Sequence, residues 1–261
     1  MTSGSGVARV AVVTGAASGI GRATVQRLVA LGTSVVAVDL QQHAFGWVAE
    51  SGLQDRVAVV VGDVTDDETN VRAAATAITH FGRLDAAVFN AGISMSGDLM
   101  ELPLEEFDRA IAVNVRAVVL GMRSVVPQLR ASGSGRIVVT ASTSGMAGDP
   151  NMWAYNTSKG AVINLVRAAA IDLGPHNITV NAVCPGPTET EMTSRLQSLP
   201  AIHEQLRRTI PLQRWGQAAE IAAMIAFLTS PEASFVNGAI IPVDGGITAS
   251  TGQFPPRPAN G

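Results

Sequence analysis

The stretch Thr14-Gly15-Ala16-Ala17-Ser18-Gly19-Ile20-Gly21 (TGAASGIG) joins two segments of different periodicity. Before it, residues 7–13 form an apolar, largely β-branched run. After it, Ile20, Ala23, Thr24, Arg27, Leu28 and Leu31 recur at helical spacing. A strand that turns through glycines directly into a helix suits an anion. Glycine permits the tight turn, and backbone N–H groups converge on a phosphate at the positive end of the helix dipole. A tight strand-to-helix turn with no ligand is the other reading. The next segment favours phosphate: Asp39 closes the second apolar run, 18 residues after Gly21, where a carboxylate suits the hydroxyls of an adenosine ribose. That carboxylate repels a 2′-phosphate. No Arg follows in Leu40-Gln41-Gln42, and Ser18 puts no cation in the loop, so NAD is expected rather than NADP.

The alternation continues outward. Apolar runs at 35–38, 57–61, 86–89, 137–140, 178–183 and 240–243 are separated by helical patterns at 66–81, 103–129, 155–173 and 218–228. The pattern over 103–129 reads as two helices with a bend near Asn114. Fully apolar strands suit a parallel sheet buried on both faces. The expected fold is α/β: a single-domain Rossmann-type, doubly wound parallel sheet of about seven strands with helices on both faces. Residues 7–247 form the domain, 1–6 a disordered lead-in and 248–261 an extended Pro-containing tail.

Composition bounds the function. The 261 residues are 47% hydrophobic and 15% charged, with net charge -3. No basic patch stands out, so neither nucleic acid nor an anionic membrane is an expected partner. No uninterrupted apolar run reaches the roughly 18 residues of a membrane span, and MTSGSG shows no basic segment leading into an apolar one. The single Cys184 excludes an intramolecular disulfide and points to a reducing compartment, the cytoplasm. It reads as packing or pocket wall rather than a nucleophile. His80, His176 and His203 lack ligand spacing and His43 is isolated, so no metal is expected.

Tyr155-Asn156-Thr157-Ser158-Lys159 (YNTSK) contains the only tyrosine and the only lysine of the chain. Residues four apart share a helix face. A phenol of ordinary pKa about 10 is a poor base at neutral pH, and a nearby ammonium favours its ionised form.

These motifs, in this order, resemble the short-chain dehydrogenase/reductase family of the short, single-domain type, from about Val7 to Gly246. The TGxxxGxG spacing is similar to its cofactor loop, with Gly15, Ser18, Gly19, Ile20 and Gly21 as contacts and Asp39 and Leu40 following strand two. Asp63 and Val64 match its adenine-contacting turn, and Asn90-Ala91-Gly92 its turn after strand four. Pro185, Gly186, Thr188 and Thr190 match the segment that holds the nicotinamide carboxamide, although both threonines also suit the role of local caps. Asn114, Ser142, Tyr155 and Lys159 match the catalytic set. The resemblance implies hydride transfer between nicotinamide and a secondary alcohol or ketone. Tyr155 is the implied acid/base, Ser142 binds the substrate oxygen and Asn114 holds a water on a proton path from Lys159. Ser142 lies 13 residues before Tyr155. A turn-capping role for it, with Ser144 as rival, stays open.

The resemblance places the substrate pocket near Ser94, Met95, Gly145, Met146, Trp153, Met192, Leu196 and Leu206, some of which equally suit the core or a subunit contact. This largely apolar set implies an apolar or cyclic small-molecule alcohol or ketone. Arg195, Arg207 and Arg208 read as solvated helix charges. The family's usual assembly implies a homotetramer or homodimer, with helices around 114–129 and 155–173 meeting across a two-fold axis. A catalytically idle dinucleotide-binding redox sensor is the main alternative. Retention of both Tyr155 and Lys159 argues against it. A non-redox use of the fold, such as an epimerase, is a third.

Overall fold

The structure, a computed structural model, describes residues 8–251 together with 253 and 256. The lead-in expected over 1–6, and most of the tail beyond 251, lie outside the described residues. The elements are β1 Val10–Thr14, α1 Gly19–Ala30, β2 Ser34–Asp39, α2 Gly46–Glu50, β3 Val57–Val61, α3 Asp67–Phe81, β4 Ala86–Phe89 and α4 Leu104–Ile111. They continue as α5 Ala117–Ser132, β5 Gly135–Thr140, α6 Trp153–Leu173, β6 Ile178–Pro185, β7 Thr188–Glu189, α7 Ser194–Gln197, α8 Pro200–Thr209, β8 Gly216–Gln217, α9 Ala218–Thr229 and β9 Ile240–Val243.

The main sheet has seven strands, all parallel, in the order β3-β2-β1-β4-β5-β6-β9. The two-residue strands β7 and β8 pair separately. Alternation along each strand divides the core. Val10 and Val12 face one way, with Ala73 and Ala77 of α3, Val118 and Leu129 of α5, and Val162 and Val166 of α6. Ala11 and Val13 face the other, with Val25 and Leu28 of α1 and Ile221 and Ile225 of α9. This is the doubly wound architecture expected from the apolar runs.

Strand order reverses between β1 and β4, so a crevice opens at the carboxyl ends of those strands. Val13 stands opposite both Ala37 and Val88, which brings Thr14, Asp39 and Asn90 to the same edge.

Three details differ from the sequence expectation. The first strand begins at Val10 and not at residue 7. Helix α6 begins at Trp153, two residues before Tyr155. The bend near Asn114 is a π-helical turn, Ala112–Arg116, inside one continuous helical run. That run, Leu104–Ser132, is long and apolar enough by composition to cross a bilayer. Here Val118, Met122, Val125 and Leu129 of its second half lie in the core.

Candidate active site

The glycine loop is fixed by contacts that leave no room for side chains. Gly15 has φ +63°, and a Cβ on it would lie 2.8 Å from Ala91 Cα. A Cβ on Gly21 would lie 1.8 Å from the Gly15 carbonyl oxygen. Thr14 Oγ1 accepts the N–H groups of Asn90 at 3.0 Å and Ala91 at 3.1 Å. Asn90 Nδ2 returns bonds to the Thr14 and Gly15 carbonyls, both at 3.2 Å. Thr140 Oγ1 donates to Asn90 Oδ1 at 3.1 Å. The ends of β1, β4 and β5 are thereby stitched together.

Ser18 occupies the N-cap position of α1 without a side-chain capping bond, and Ile20 packs half-buried on the core. Asp39 uses both oxygens locally: Oδ2 accepts Ala17 N–H at 2.9 Å and Oδ1 accepts Leu40 N–H at 2.7 Å. The Leu40 side chain is exposed. Asp63 Oδ1 accepts Thr65 N–H at 2.8 Å and Val64 is buried behind it. An open cleft of about 630 Å³ runs past Gly62, Asp63 and Thr65 to Arg72 and Arg116.

The 185–191 segment closes against this edge. A Cβ on Gly186 would lie 2.8 Å from Asp244 Cβ, and one on Gly19 would lie 3.2 Å from the Thr190 side chain and 3.3 Å from Glu191 Oε2. Pro185 ends β6. Thr188 is buried, its Oγ1 donating to the Gly186 carbonyl at 2.9 Å. Thr190 forms a capping box with Thr193, so the capping role is present, and Thr190 also borders the glycine loop.

The structure brings Asn114, Ser142, Tyr155 and Lys159 to one cluster. Lys159 is buried; its Nζ donates to the Thr140 carbonyl at 2.9 Å and stands 5.8 Å from the centroid of the Tyr155 ring. Asn114, in the π turn, donates through Nδ2 to Ser158 Oγ at 2.9 Å and to the Ile93 carbonyl at 3.0 Å. Its Oδ1 accepts Ile93 N–H at 2.8 Å. A Cβ on Gly92 would lie 3.2 Å from Asn114 Oδ1 and 3.4 Å from Lys159 Nζ, so only glycine leaves that corner open. Ser142 Oγ accepts Ser144 N–H at 3.1 Å and acts on the Tyr155 phenol, pulling its pKa down. It is therefore both turn cap and partner of the tyrosine.

Electrostatics here run against the simplest expectation. Burial lowers the Lys159 ammonium to about 8. Burial also raises the Tyr155 phenol above 10.0, against the opposing pull of its Ser142 hydrogen bond. Desolvation is the largest influence on the phenol, and the ammonium by its ring donates to the Thr140 carbonyl. Cys184 is buried beside Ser142 and Lys159, and burial pushes its thiol up to about 11. That is a protonated wall residue and no nucleophile.

The substrate-side residues are less uniform. Met146 and Met192 are exposed and Met95 is half-buried. Trp153 stacks on Phe107 of α4, centroids 5.4 Å apart. Arg207 and Arg208 both pair with Glu204 on their own helix, consistent with solvated charges. Four residues were not singled out by the sequence: Thr14, Thr140, Ser158 and Asp149. Thr14 and Ser158 carried a local signal, lying within TGAASGIG and YNTSK.

A family model described as Enoyl-(Acyl carrier protein) reductase matches residues 15–248. The chain is 40% identical to 2-(R)-hydroxypropyl-CoM dehydrogenase of Xanthobacter autotrophicus, over 93% of this chain and 100% of that one. It is 38% identical to meso-2,3-butanediol dehydrogenase of Serratia marcescens, over 94% and 96%. A crystal structure of levodione reductase superposes with TM-score 0.87 at 35% identity, covering 93% of this chain and 98% of that one.

Proposed function

The chain belongs to the short-chain dehydrogenase/reductase family, and from that premise we propose that it is an NAD-dependent oxidoreductase interconverting secondary alcohols and ketones. Oxidoreductase chemistry on alcohols and a nicotinamide cofactor follow from the family itself. NAD, the residue roles and the substrate class are the proposal. The observation that carries it is the buried cluster in which Lys159 Nζ stands 5.8 Å from the Tyr155 ring centroid, with Ser142 on the same phenol.

The glycine loop fits a pyrophosphate: close-packed Gly15 and Gly21 let the backbone approach the anion, and the 12-residue α1 points its N-terminus there. Gly15, Ser18, Gly19, Ile20 and Gly21 would hold the phosphates, Asp39 and Leu40 the adenosine ribose, and Asp63 and Val64 the adenine. Asn90, Ala91, Gly92, Tyr155, Lys159, Pro185, Gly186, Thr188 and Thr190 would border the nicotinamide half. A nicotinamide held there would supply hydride exchange with the carbinol carbon.

The chain's own residues move the proton. Ser142 Oγ holds the substrate oxygen. Tyr155 takes the hydroxyl proton in oxidation and returns it in reduction. Lys159, largely charged below about pH 8, favours the phenolate while the proton is away. Asn114 fixes the π turn against Ser158 and would hold a water on the proton's path to solvent. Asp39, with no cation after it, disfavours a 2′-phosphate.

Met95, Met146, Trp153 and Met192 are the residues we assign to the substrate side, favouring a small apolar or cyclic alcohol. Met and Leu side chains adapt to such shapes. We assign the protein to the cytoplasm and to a homotetramer or homodimer. Ile171 of α6 and Phe235 near β9 are large, exposed apolar side chains suited to subunit contacts. A steady-state screen of NAD and NADP with small acyclic and cyclic secondary alcohols and ketones tests the reading. Turnover with NAD preferred is expected. Equal or better turnover with NADP overturns the Asp39 assignment, and tight NADH binding without any turnover favours the redox sensor.

A further inference from the structure

Ser142 is held from behind by a short relay. Its Oγ accepts the N–H of Ser144 at 3.1 Å. Ser144 is fixed in turn by its own hydroxyl, which donates to Asp149 Oδ2 at 2.5 Å. An ionised acceptor at that distance makes a strong bond for an exposed turn. Asp149 is anchored to α6: its carbonyl accepts Asn156 Nδ2 at 3.0 Å and Met152 N–H at 3.3 Å. Tyr155 rides on the same first turn of α6. The opposite side of the loop is wedged, since a Cβ on Gly145 would lie 2.6 Å from the Lys159 carbonyl carbon. These bonds tie Ser142 through Ser144 and Asp149 to the first turn of α6, which carries Tyr155 beside it.

A serine oxygen that accepts an N–H still has its hydrogen to give. With the Ser144 N–H behind it, the Ser142 hydroxyl is directed forward, to the Tyr155 oxygen or to a substrate oxygen beside it. We infer that Ser144 and Asp149 form a positioning pair for Ser142, aiming its hydroxyl at the reacting oxygen. The inference rests on the proposed roles of Ser142 and Tyr155. Ser144 is thus no rival to Ser142 but its support.

The chain supplies its own probe. Tyr155 is the only tyrosine, so protein grown with tyrosine 13C-labelled at Cζ gives one tyrosine resonance, whose position reports both hydrogen bonding and ionisation. The titratable groups around it are Lys159 on α6, Cys184 on β6 and Asp149 in the turn. In the ligand-free protein, Ser142→Ala moves the resonance at pH 8 and raises its titration midpoint by about half a pH unit or more, the effect of losing one neutral hydrogen bond. Ser144→Ala moves both in the same direction, but has no further effect in the Ser142→Ala background. Ser144→Thr, which keeps the hydroxyl, restores the wild-type position. Asp149→Ala, which removes the acceptor together with the charge, is read as a cycle with Ser144→Ala. Its charge change acts equally in both backgrounds, so unequal shifts measure the clamp and equal shifts remove Asp149 from it. If Ser142→Ala leaves the resonance in place, the pairing of Ser142 with Tyr155 fails and the proposed site fails with it. If Ser142→Ala moves the resonance and Ser144→Ala does not, only the positioning role is overturned.

Discussion

Lys159 stands over the ring of Tyr155: its ammonium lies 5.8 Å from the ring centroid while donating to the Thr140 carbonyl. It is a buried cation with one neutral acceptor, and burial lowers it from 10.5 to about 8. The unfolded chain therefore holds this proton more tightly than the native one. Stability from this group rises with pH between about 8 and 10.5 and is constant below. At neutral pH the cost is at most about 3 kcal/mol. Lys159→Met should be more stable than wild type at pH 7, with the gap narrowing by pH 9.5, in urea denaturation at both values. Above pH 10 the raised Tyr155 phenol works the other way, because the native state keeps a proton that the unfolded chain gives up.

Tyr155→Phe keeps the ring and removes the proton carrier. Turnover of a secondary alcohol with NAD should fall by about 100- to 10,000-fold, the usual worth of general acid–base catalysis. NADH affinity, measured by fluorescence titration, should change little. Retained turnover would remove Tyr155 from the chemistry.

Asp39 does two things that substitution can separate. Its carboxylate holds Ala17 N–H, and its charge faces the expected ribose. Asp39→Asn keeps an acceptor and should raise the NADP-to-NAD ratio of kcat/KM by about tenfold or more, since like-charge repulsion costs this much readily. Asp39→Ala should also loosen the glycine loop and weaken NAD binding. An unchanged ratio in both variants would mean that specificity lies elsewhere.

Asn114→Ala leaves the Ile93 N–H, the Ile93 carbonyl and Ser158 Oγ short of a partner in a buried place. Thermal and chemical denaturation should show a loss of about 1–3 kcal/mol. A variant of wild-type stability would make Asn114 a purely functional residue.

Ile171 is 76% exposed on α6, one of the helices assigned to a two-fold contact. Ile171→Asp should shift the assembly to smaller species in sedimentation velocity, while leaving the far-ultraviolet circular dichroism unchanged. An unaltered distribution would place the interface away from α6.

The sheet was legible because its strands are short apolar runs, each with a chemically distinct residue at its end or within two residues beyond it: Thr14, Asp39, Asn90, Ser142. Parallel strands gather those ends at one edge, so the same punctuation that marked the strands also marked the site. What local pattern could not reveal is long-range hydrogen bonding. Thr14 and Asn90, 76 positions apart, carry no mutual signal, and neither does the Lys159–Thr140 bond. The stack of Trp153 on Phe107 depends on how α4 docks, which no local pattern carries. The expected fall in the Tyr155 pKa considered charge and spacing, and omitted the burial that both side chains undergo together.

The π turn at Ala112–Arg116 sets a reading frame. Each residue of an α-helix advances about 100° around its axis, and the wide turn absorbs a residue that a regular helix would not. Removing one residue there would restore an uninterrupted helix with Ala110 and the stripe Val118, Met122, Val125 and Leu129 still on one face. The same deletion within α4 or α5, where no wide turn absorbs it, would rotate one part of that face away from the other by about 100°. Along this run the cost of a one-residue deletion depends on which side of the π turn it falls.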